Sequence, residues 1–314
     1  MFGLLTKKAN AKGRIGVVLG REQVAIAVVR RDIDGAPILE RCEALPVAAA
    51  AGADVVAQTL RAAGLPRMAA SSVLHSEDYQ LALVEAPDVP PAEMRAAMRW
   101  KLKDTIDFRV EDAVIDVFEV PNQSRGGAVR MLYAVAARRS VVDQHAASLA
   151  GLSSFDVVDM PELCLRNLAA LTPAAANGVA LLYLGETSVT VVLVRGSTFY
   201  FARQMDLQAT MRGRLDSPGI SSRIDASTIV LELQRSLDYY ERHFDQPPIT
   251  RVVIAPFEDR AEALATELAR ETGFDVTTFD VNAFLRCESP VDAATQATCL
   301  LAVGAALRQD PVAG

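Results

Sequence analysis

Cysteine and histidine, the residue types that most often carry metal or nucleophilic chemistry, are few in this 314-residue chain. No two cysteines form a C-x-x-C pair, and no two histidines are close in sequence; they are Cys42, Cys164, Cys287, Cys299, His75, His145 and His243. Zinc sites need closely spaced ligands, and nucleophilic sites need a Ser-His-Asp or Cys-His signature. We therefore expect no metal site and no catalytic residues, and reduced cysteines that mostly pack in the interior.

The single tryptophan, Trp100, lies in a basic stretch with Arg99, Lys101 and Lys103. The pattern AEMRAAMRWKL predicts a helix over residues 92–102, with two prolines before it. Tryptophan, methionine and arginine are enriched in the cores of protein interfaces. Two interpretations stay open: Trp100 packs under its own subdomain, or it belongs to a peptide-binding face.

The overall charge and hydrophobicity exclude several classes of protein. The net charge is −7 and the pI is about 5.2, which argues against nucleic acid as a partner because phosphate binding needs a basic stripe. The sequence contains no run of 18 apolar residues, so it predicts no transmembrane helix. The N-terminal tail, residues 1–13, is apolar only over Met1–Leu5, which is too short for a signal peptide. We expect a cytoplasmic protein whose tail is either disordered or weakly attached to a membrane surface.

Two similar patterns of strands and turns organise the chain. Residues 14–45 and 179–202 each read as strand, tight turn, strand, turn and strand. The first strand of the second pattern, VALLYL, lacks alternation, which predicts burial on both faces. Two such meanders about one lobe apart suggest an internal duplication. A Pro-rich hinge at 87–91 and the stretch TPAAAN at 172–177 indicate boundaries between the units.

Paired meanders followed by helices and single strands resemble the actin-like fold, and several segments resemble one branch of it. MFGLLTKK at the start, the block from Pro87 to Phe118, LELQRSLDYYER at 231–242 and LLAVGAALR at 300–308 resemble PilM-type proteins of type IV pilus assembly. DMPELCLRNLAAL at 159–171 resembles the MshI branch, from MSHA pilus biogenesis. The order of all these segments carries the resemblance.

The resemblance implies an α/β, two-lobed actin-like (sugar kinase/actin/heat-shock ATPase) fold with an inserted PilM/FtsA-type subdomain in lobe 1. Lobe 1 would comprise residues 14–86 and 121–176, the inserted subdomain 87–120, and lobe 2 residues 177–314. It also implies that a hairpin turn in each lobe cradles nucleotide phosphates and that a later glycine pair holds the adenosine. The matching positions are Gly20, Arg21, Gly185, Glu186, Thr187, Ser188, Ala255 and Pro256.

The chain departs from the family pattern where the chemistry would be. The strand before each phosphate turn usually ends in Asp-x-Gly, but here the matching residues are Val18 and Tyr183. Without these carboxylates, Mg²⁺ and the attacking water lose their ligands. Pro256 stands in the adenosine motif and has no N–H to offer. We therefore expect no cofactor and a degenerate cleft; binding of ATP and Mg²⁺ through Glu186 or Arg21 stays an alternative.

The family's known partner is the short cytoplasmic tail of a bitopic inner-membrane protein of the PilN type, held in a groove between lobe 1 and its insertion. Carried over, this implies a scaffold peripheral to the inner membrane that also meets other pilus assembly proteins. The candidate contacts are Met94, Trp100, Leu102 and Ile106. The alternatives are an active ATPase of the same fold and a sugar or acetate kinase. Asp159 is the nearest cleft carboxylate for a kinase, and we expect it to cap the helix that begins at Pro161.

Overall fold

The computed structural model describes residues 13–90, 92–121, 130–185, 187–206, 226–257 and 260–309. The strands are β1 (Gly13–Leu19), β2 (Gln23–Arg31), β3 (Pro37–Pro46), β4 (Ala69–Val73), β5 (Tyr79–Glu85), β6 (Ala113–Glu119), β7 (Met131–Arg138), β8 (Phe155–Asp159), β9 (Val179–Leu184), β10 (Ser188–Arg195), β11 (Thr198–Asp206), β12 (Arg251–Ile254), β13 (Asp275–Thr278) and β14 (Arg286–Cys287). The α-helices are α1 (Ala53–Ala62), α2 (Met94–Leu102), α3 (Arg139–Ser148), α4 (Pro161–Ala169), α5 (Ala226–Phe244), α6 (Ala261–Thr272), α7 (Val281–Phe284) and α8 (Ala293–Ala306). No helix among the described residues is long and apolar enough to cross a membrane.

Two of the sheets repeat one topology, as the paired meanders predict. Sheet 1 has the order β14-β3-β2-β1-β4-β8, and sheet 2 has the order β11-β10-β9-β12-β13. In each sheet the first strand of the meander pairs antiparallel with the second strand and parallel with a later one. Every residue of β9 except Tyr183 is buried, as expected for a central strand with both faces covered.

Helices are exchanged between the two halves of the chain. Helix α4, from the first half, packs on β9 and β10 of sheet 2, whereas α8, from the second half, packs on β1 and β2 of sheet 1. Strand β14 also joins sheet 1, next to β3. Elements from each side of the predicted division at 176/177 thus pack on the sheet of the other side. Helix α8 is apolar on nearly all sides, so it is buried between two layers.

Two glycines let α8 approach its neighbours closely. A Cβ atom at Gly16 in β1 would lie 1.9 Å from the carbonyl oxygen of Ala302, and one at Gly304 would lie 2.5 Å from the carbonyl oxygen of Cys164 in α4. The Asn167 amide also donates to the Gly304 carbonyl at 2.8 Å. These contacts bring strand, helix and helix together at backbone distance, with no room for a side chain.

A third sheet and one helix form a small layer. The sheet has the order β5-β7-β6, and α2 covers one face of it. The predicted insertion, 87–120, supplies α2 and β6, but β5 and β7 lie outside it in sequence. The small layer therefore combines β5 and β7 with elements from the predicted insertion.

The other face of the small layer contacts both large sheets. Leu74 and Met160, at the ends of β4 and β8, pack against Tyr79 and Ala137 of the small layer. On the same face of β7, the Tyr133 hydroxyl donates to the Tyr200 carbonyl of β11 at 2.6 Å. The Tyr133 ring also meets the Phe199 ring edge to face, with centroids 5.2 Å apart. The small layer thus bridges the two halves of the molecule.

Replacing Gly16 by alanine tests the contact between β1 and α8. We expect Gly16→Ala to lower the free energy of unfolding by at least about 2 kcal/mol, because the new methyl group meets a backbone oxygen that no rotamer change can move. The matched control is Gly52→Ala, since nothing lies within 4 Å of a Cβ there. Urea unfolding followed by circular dichroism measures both, and equal losses would contradict the packing described.

Candidate functional site

The two hairpin turns predicted to cradle phosphate have the same geometry. The Gly20 N–H donates to the Gln23 carbonyl at 2.8 Å, and the Gly185 N–H donates to the Ser188 carbonyl at 2.8 Å. These glycine N–H groups are therefore used within the turns themselves. Arg21 is exposed, Thr187 is half-buried, and Ser188 is buried; Glu186 lies outside the described residues.

The segment after β4 connects the two turns, and sequence reasoning missed it. Ser76 lies with its hydroxyl oxygen 3.5 Å from that of Ser188 in sheet 2. The neighbouring His75 ring hydrogen-bonds the Leu19 carbonyl, just before the first turn. The available signal was topological, because β4 runs parallel to β1 and the carboxyl ends of parallel strands meet at one edge.

The positions before the turns hold apolar or aromatic side chains in contact with the core. Val18 packs against the cluster of Val73, Cys164 and Ala305. Tyr183 is half-buried, next to Gly185. Within the described ranges, no group of three or more His, Cys, Asp or Glu side chains could hold a metal ion.

Asp159, the carboxylate at the end of β8, is buried and paired. One of its oxygens accepts from Arg308 at 2.8 Å, and the other accepts from the Met160 N–H at 3.0 Å. Met160 is the N-cap of α4, and it makes no side-chain cap hydrogen bond. The prediction that Asp159 caps this helix is thus wrong, because the Arg308 guanidinium after α8 takes up the carboxylate. A paired carboxylate of this kind is poorly placed to activate a phosphate acceptor.

Glu162, a second buried carboxyl group nearby, is also bonded. The Tyr79 hydroxyl donates to it at 2.5 Å, and burial raises the pKa of Glu162. Asp78 follows β4 in the chain, and burial raises the pKa of its carboxyl group as well. Asp78 lies two residues after Ser76, close in sequence to the contact between the two turns.

The residues predicted to match the adenosine motif take part in backbone pairing. Ala255 is fully buried, and its N–H donates to the Leu182 carbonyl at 2.8 Å. Pro256 follows, and it has no N–H. These two residues continue the sheet and present no donor to a ligand.

A serine–histidine pair between sheet 1 and α3 is buried, so a substrate cannot reach it. Ser72 in β4 hydrogen-bonds the Nδ1 atom of His145 in α3, and both side chains are buried. Burial lowers the pKa of His145 to about 4, so the ring is neutral at physiological pH. The pair holds α3 against the sheet.

Of the four predicted partner contacts, the structure exposes Trp100 most. Its side chain is 79% exposed, with the Lys103 ammonium 5.6 Å from the ring centroid. Leu102 and Ile106 are buried in the small layer, and Met94 is half-buried against the same cluster. The positions of these side chains around the axis of α2 explain the difference in exposure. Met98 and Leu102 lie one turn apart on the inner side, whereas Trp100 lies about 200° around the helix from each.

Helix α2 is fastened to its surroundings by its basic side chains. Arg99 donates to the Val110 and Ala113 carbonyls at 3.1 and 3.3 Å. Lys101 donates to the Glu85 carbonyl at 2.7 Å. Trp100 thus lies between two anchored side chains in the last turn of the helix, which lowers the entropy cost of binding through it.

The chain matches no protein-family model and no curated protein. Among solved structures, it is similar to a PilM–PilN type IV pilus biogenesis complex, with a TM-score of 0.70, 20% identity and coverage of 94% of this chain and 98% of that one. The chain has a PilM-like, actin-like fold. A protein of unknown function with an actin-like ATPase fold, from Bacteroides thetaiotaomicron, matches with a TM-score of 0.51, 8% identity and coverage of 95% and 100%. The actin-like fold predicted from the paired meanders is confirmed.

Removing Arg308 tests the pairing of the cleft carboxylate. We expect Arg308→Met to lower the free energy of unfolding by about 3 kcal/mol, because it removes the cation that is hydrogen-bonded to the buried Asp159 carboxylate. Adding Asp159→Asn to that variant restores part of the loss. The control is Arg286→Met, since Arg286 lies 4.0 Å from Asp32 in an exposed pair. Thermal unfolding checks the series, and similar losses for the two arginines would contradict this role.

Proposed function

We propose that this chain is a scaffold of a type IV pilus assembly machine, of the MshI (MSHA) branch, that binds the cytoplasmic tail of a PilN-like membrane protein. The single observation that carries this proposal is the similarity to the PilM–PilN structure over 94% of the chain. The sequence segments that resemble PilM-type proteins support it independently. Binding to the tail of a bitopic protein places the chain in the cytoplasm, at the inner membrane, where it meets other assembly proteins.

We place the tail on the outer face of α2, centred on Trp100. The space between sheet 1 and the small layer is filled by Leu74, Tyr79, Ala137 and Met160, so a tail enters there only if these side chains move apart. Trp100 needs no such change, since it is exposed already. Large aromatic side chains on rigid elements contribute the most binding energy in protein interfaces.

The proposed scaffold does not hydrolyse nucleotide. Phosphoryl transfer needs a metal held by carboxylates and an oriented nucleophile. Val18 and Tyr183 supply neither, and Asp159 is paired with Arg308. The proposed role is therefore to join partners rather than to drive assembly with ATP.

Trp100 is both the residue to substitute and the fluorescent reporter of binding. It is the only tryptophan, so its fluorescence should shift to the blue when a peptide carrying the tail of a PilN-like protein from the same organism binds. We expect Trp100→Ala to weaken binding about 30-fold by calorimetry, which corresponds to about 2 kcal/mol. Ile33→Ala is the matched control, because Ile33 is exposed at 93% in a turn of sheet 1.

The scaffold role and the binding face at Trp100 can be refuted separately. Tail binding that leaves the fluorescence unchanged and survives Trp100→Ala would move the binding face elsewhere but keep the scaffold. No binding of the tail by the wild-type chain would refute the scaffold itself.

The second candidate function is an active ATPase of the same fold, and the contact of Ser76 with Ser188 between the two turns favours it. Asp78, with its raised pKa, would then replace the missing acids. Calorimetric titration with Mg-ATP decides between the two: we expect no binding at micromolar concentrations. Micromolar binding, with hydrolysis that is lost in Asp78→Asn, would make the ATPase the better proposal.

A further inference from the structure

Three cations lie along one side of helix α2. Arg95, Arg99 and Lys103 are spaced four residues apart, so their side chains follow one ridge of the helix over about 12 Å. We call these three residues the basic ridge. Trp100 lies about 60° around the helix axis from Lys103, on the outer side of α2. The basic ridge therefore runs along one flank of the exposed tryptophan.

Carboxylates of the protein neutralise little of the charge on the basic ridge. Arg95 reaches Asp116 of β6 at 3.2 Å, but these side chains are 64% and 73% exposed. Arg99 donates to two backbone carbonyls, and the Lys103 ammonium lies over the Trp100 ring. Within the described ranges, neither Arg99 nor Lys103 forms an ion pair with a carboxylate. Because an exposed pair contributes little, the ridge can exchange the Asp116 carboxylate for one from a partner.

Helix stability does not explain the first member of the basic ridge. Arg95 is the second residue of α2, and the first turn of the helix contains no acid. The N-terminal end of a helix carries partial positive charge, so a cation there is unfavourable, whereas Arg99 and Lys103 are favoured at the other end. A positive charge kept at the unfavourable end indicates a role on the surface of the helix.

We propose that the basic ridge binds acidic side chains of the tail and thereby selects an acidic tail sequence. This inference rests on the proposed function and names the chemistry of the partner at Trp100. An apolar side chain of the tail covers the indole, while Asp or Glu side chains beside it lie against Arg95 and Lys103. Alternate side chains of an extended chain are about 6.8 Å apart, and the steps of the ridge are about 6 Å apart. Acids at alternate positions of an extended tail therefore match the ridge.

The opposite flank of Trp100 carries the reverse charge. Glu93, just before α2, and Asp104, just after it, are both exposed, and both lie on that flank by the periodicity of the helix. An acidic tail is attracted to one flank of the tryptophan and repelled from the other. The charges therefore determine the side of α2 along which the tail runs.

An anionic lipid surface is the other partner that a tryptophan beside cations could meet. A helix that lies on a membrane buries a wide apolar face. On the outer side of α2, by contrast, the neighbours of Trp100 are Ala96 and Ala97, and Glu93 and Asp104 would face the lipid headgroups. A single large anchor with acids on one flank fits a peptide better than a membrane.

The experiment compares two synthetic peptides by calorimetry on the full-length chain. One is the cytoplasmic tail of the PilN-like protein from the same organism, and the other is the same tail with every Asp and Glu changed to Asn and Gln. We expect the native tail to bind about tenfold more tightly at low ionic strength, and the difference to shrink as salt is added. Equal affinities, or a native tail that binds at Trp100 without any acidic residue, would overturn the inference and keep the scaffold. Failure of both peptides to bind would refute the proposed function itself.

Variants of the basic ridge locate the effect. Arg95→Gln and Lys103→Gln should each weaken binding of the native tail about three- to fivefold, leave the affinity for the neutral tail unchanged, and shift Tm by no more than about 2 °C. Lys103→Glu should make the neutral tail the tighter ligand. The matched control is Arg270→Gln, because Arg270 is a cation with 74% exposure on α6, which packs on β13. Equal losses for both tails, or an equal loss in the control, would contradict the role of the ridge.

A vesicle titration tests the lipid alternative. Vesicles of phosphatidylglycerol are added to the chain with the native tail bound, and release of the tail is measured by fluorescence anisotropy of a labelled peptide. We expect the tail to stay bound. Release that is lost in Lys103→Glu would assign the basic ridge to lipid and overturn the inference.

Discussion

The close contact of α8 with β1 and α4 is the constraint on which the rest of the structure depends. At Gly16 and Gly304 the backbones of three elements meet with no side chain between them. The helix from the end of the chain thereby covers the first sheet, while α4 from the first half covers the second sheet. Neither half could bury its sheet with its own helices alone. Folding of the two halves is therefore coupled, although each meander is formed from local sequence.

This exchange also determines the chemistry of the cleft. Because α8 ends beside β8, the Arg308 guanidinium reaches the Asp159 carboxylate at 2.8 Å. In the same region, Val18 packs on Ala305 of α8 where the family pattern has an acid. The positions that could hold a metal are used instead to join α8 to the core. In the proposed scaffold, these contacts with α8 would take the place of ligand binding.

Local patterns in the sequence were sufficient for the two meanders but not for the short elements α7 and β14, and they did not show which distant elements meet. The run VALLYL predicts a central strand because it has no polar face, and β9 is such a strand. The small residues of α8 predict close packing, yet they do not say which sheet receives it. The sequence predicts Leu102 as a partner contact, but Leu102 lies one helical turn after Met98, on the buried face of α2. The pairing of Asp159 with Arg308 joins residues 149 positions apart, and no local rule links them.

The small layer adds a second connection between the halves, and its position bears on how the molecule works. Tyr133 contacts β11 through its hydroxyl and its ring, while Tyr79 and Ala137 pack against the ends of β4 and β8. Actin-like enzymes are two lobes around a nucleotide, and a layer in contact with both lobes opposes their separation. A tail bound at Trp100, on the outer side of this layer, would leave these contacts unchanged. If the chain is the proposed scaffold, these contacts would keep its two halves, and the partners bound to them, at a constant distance.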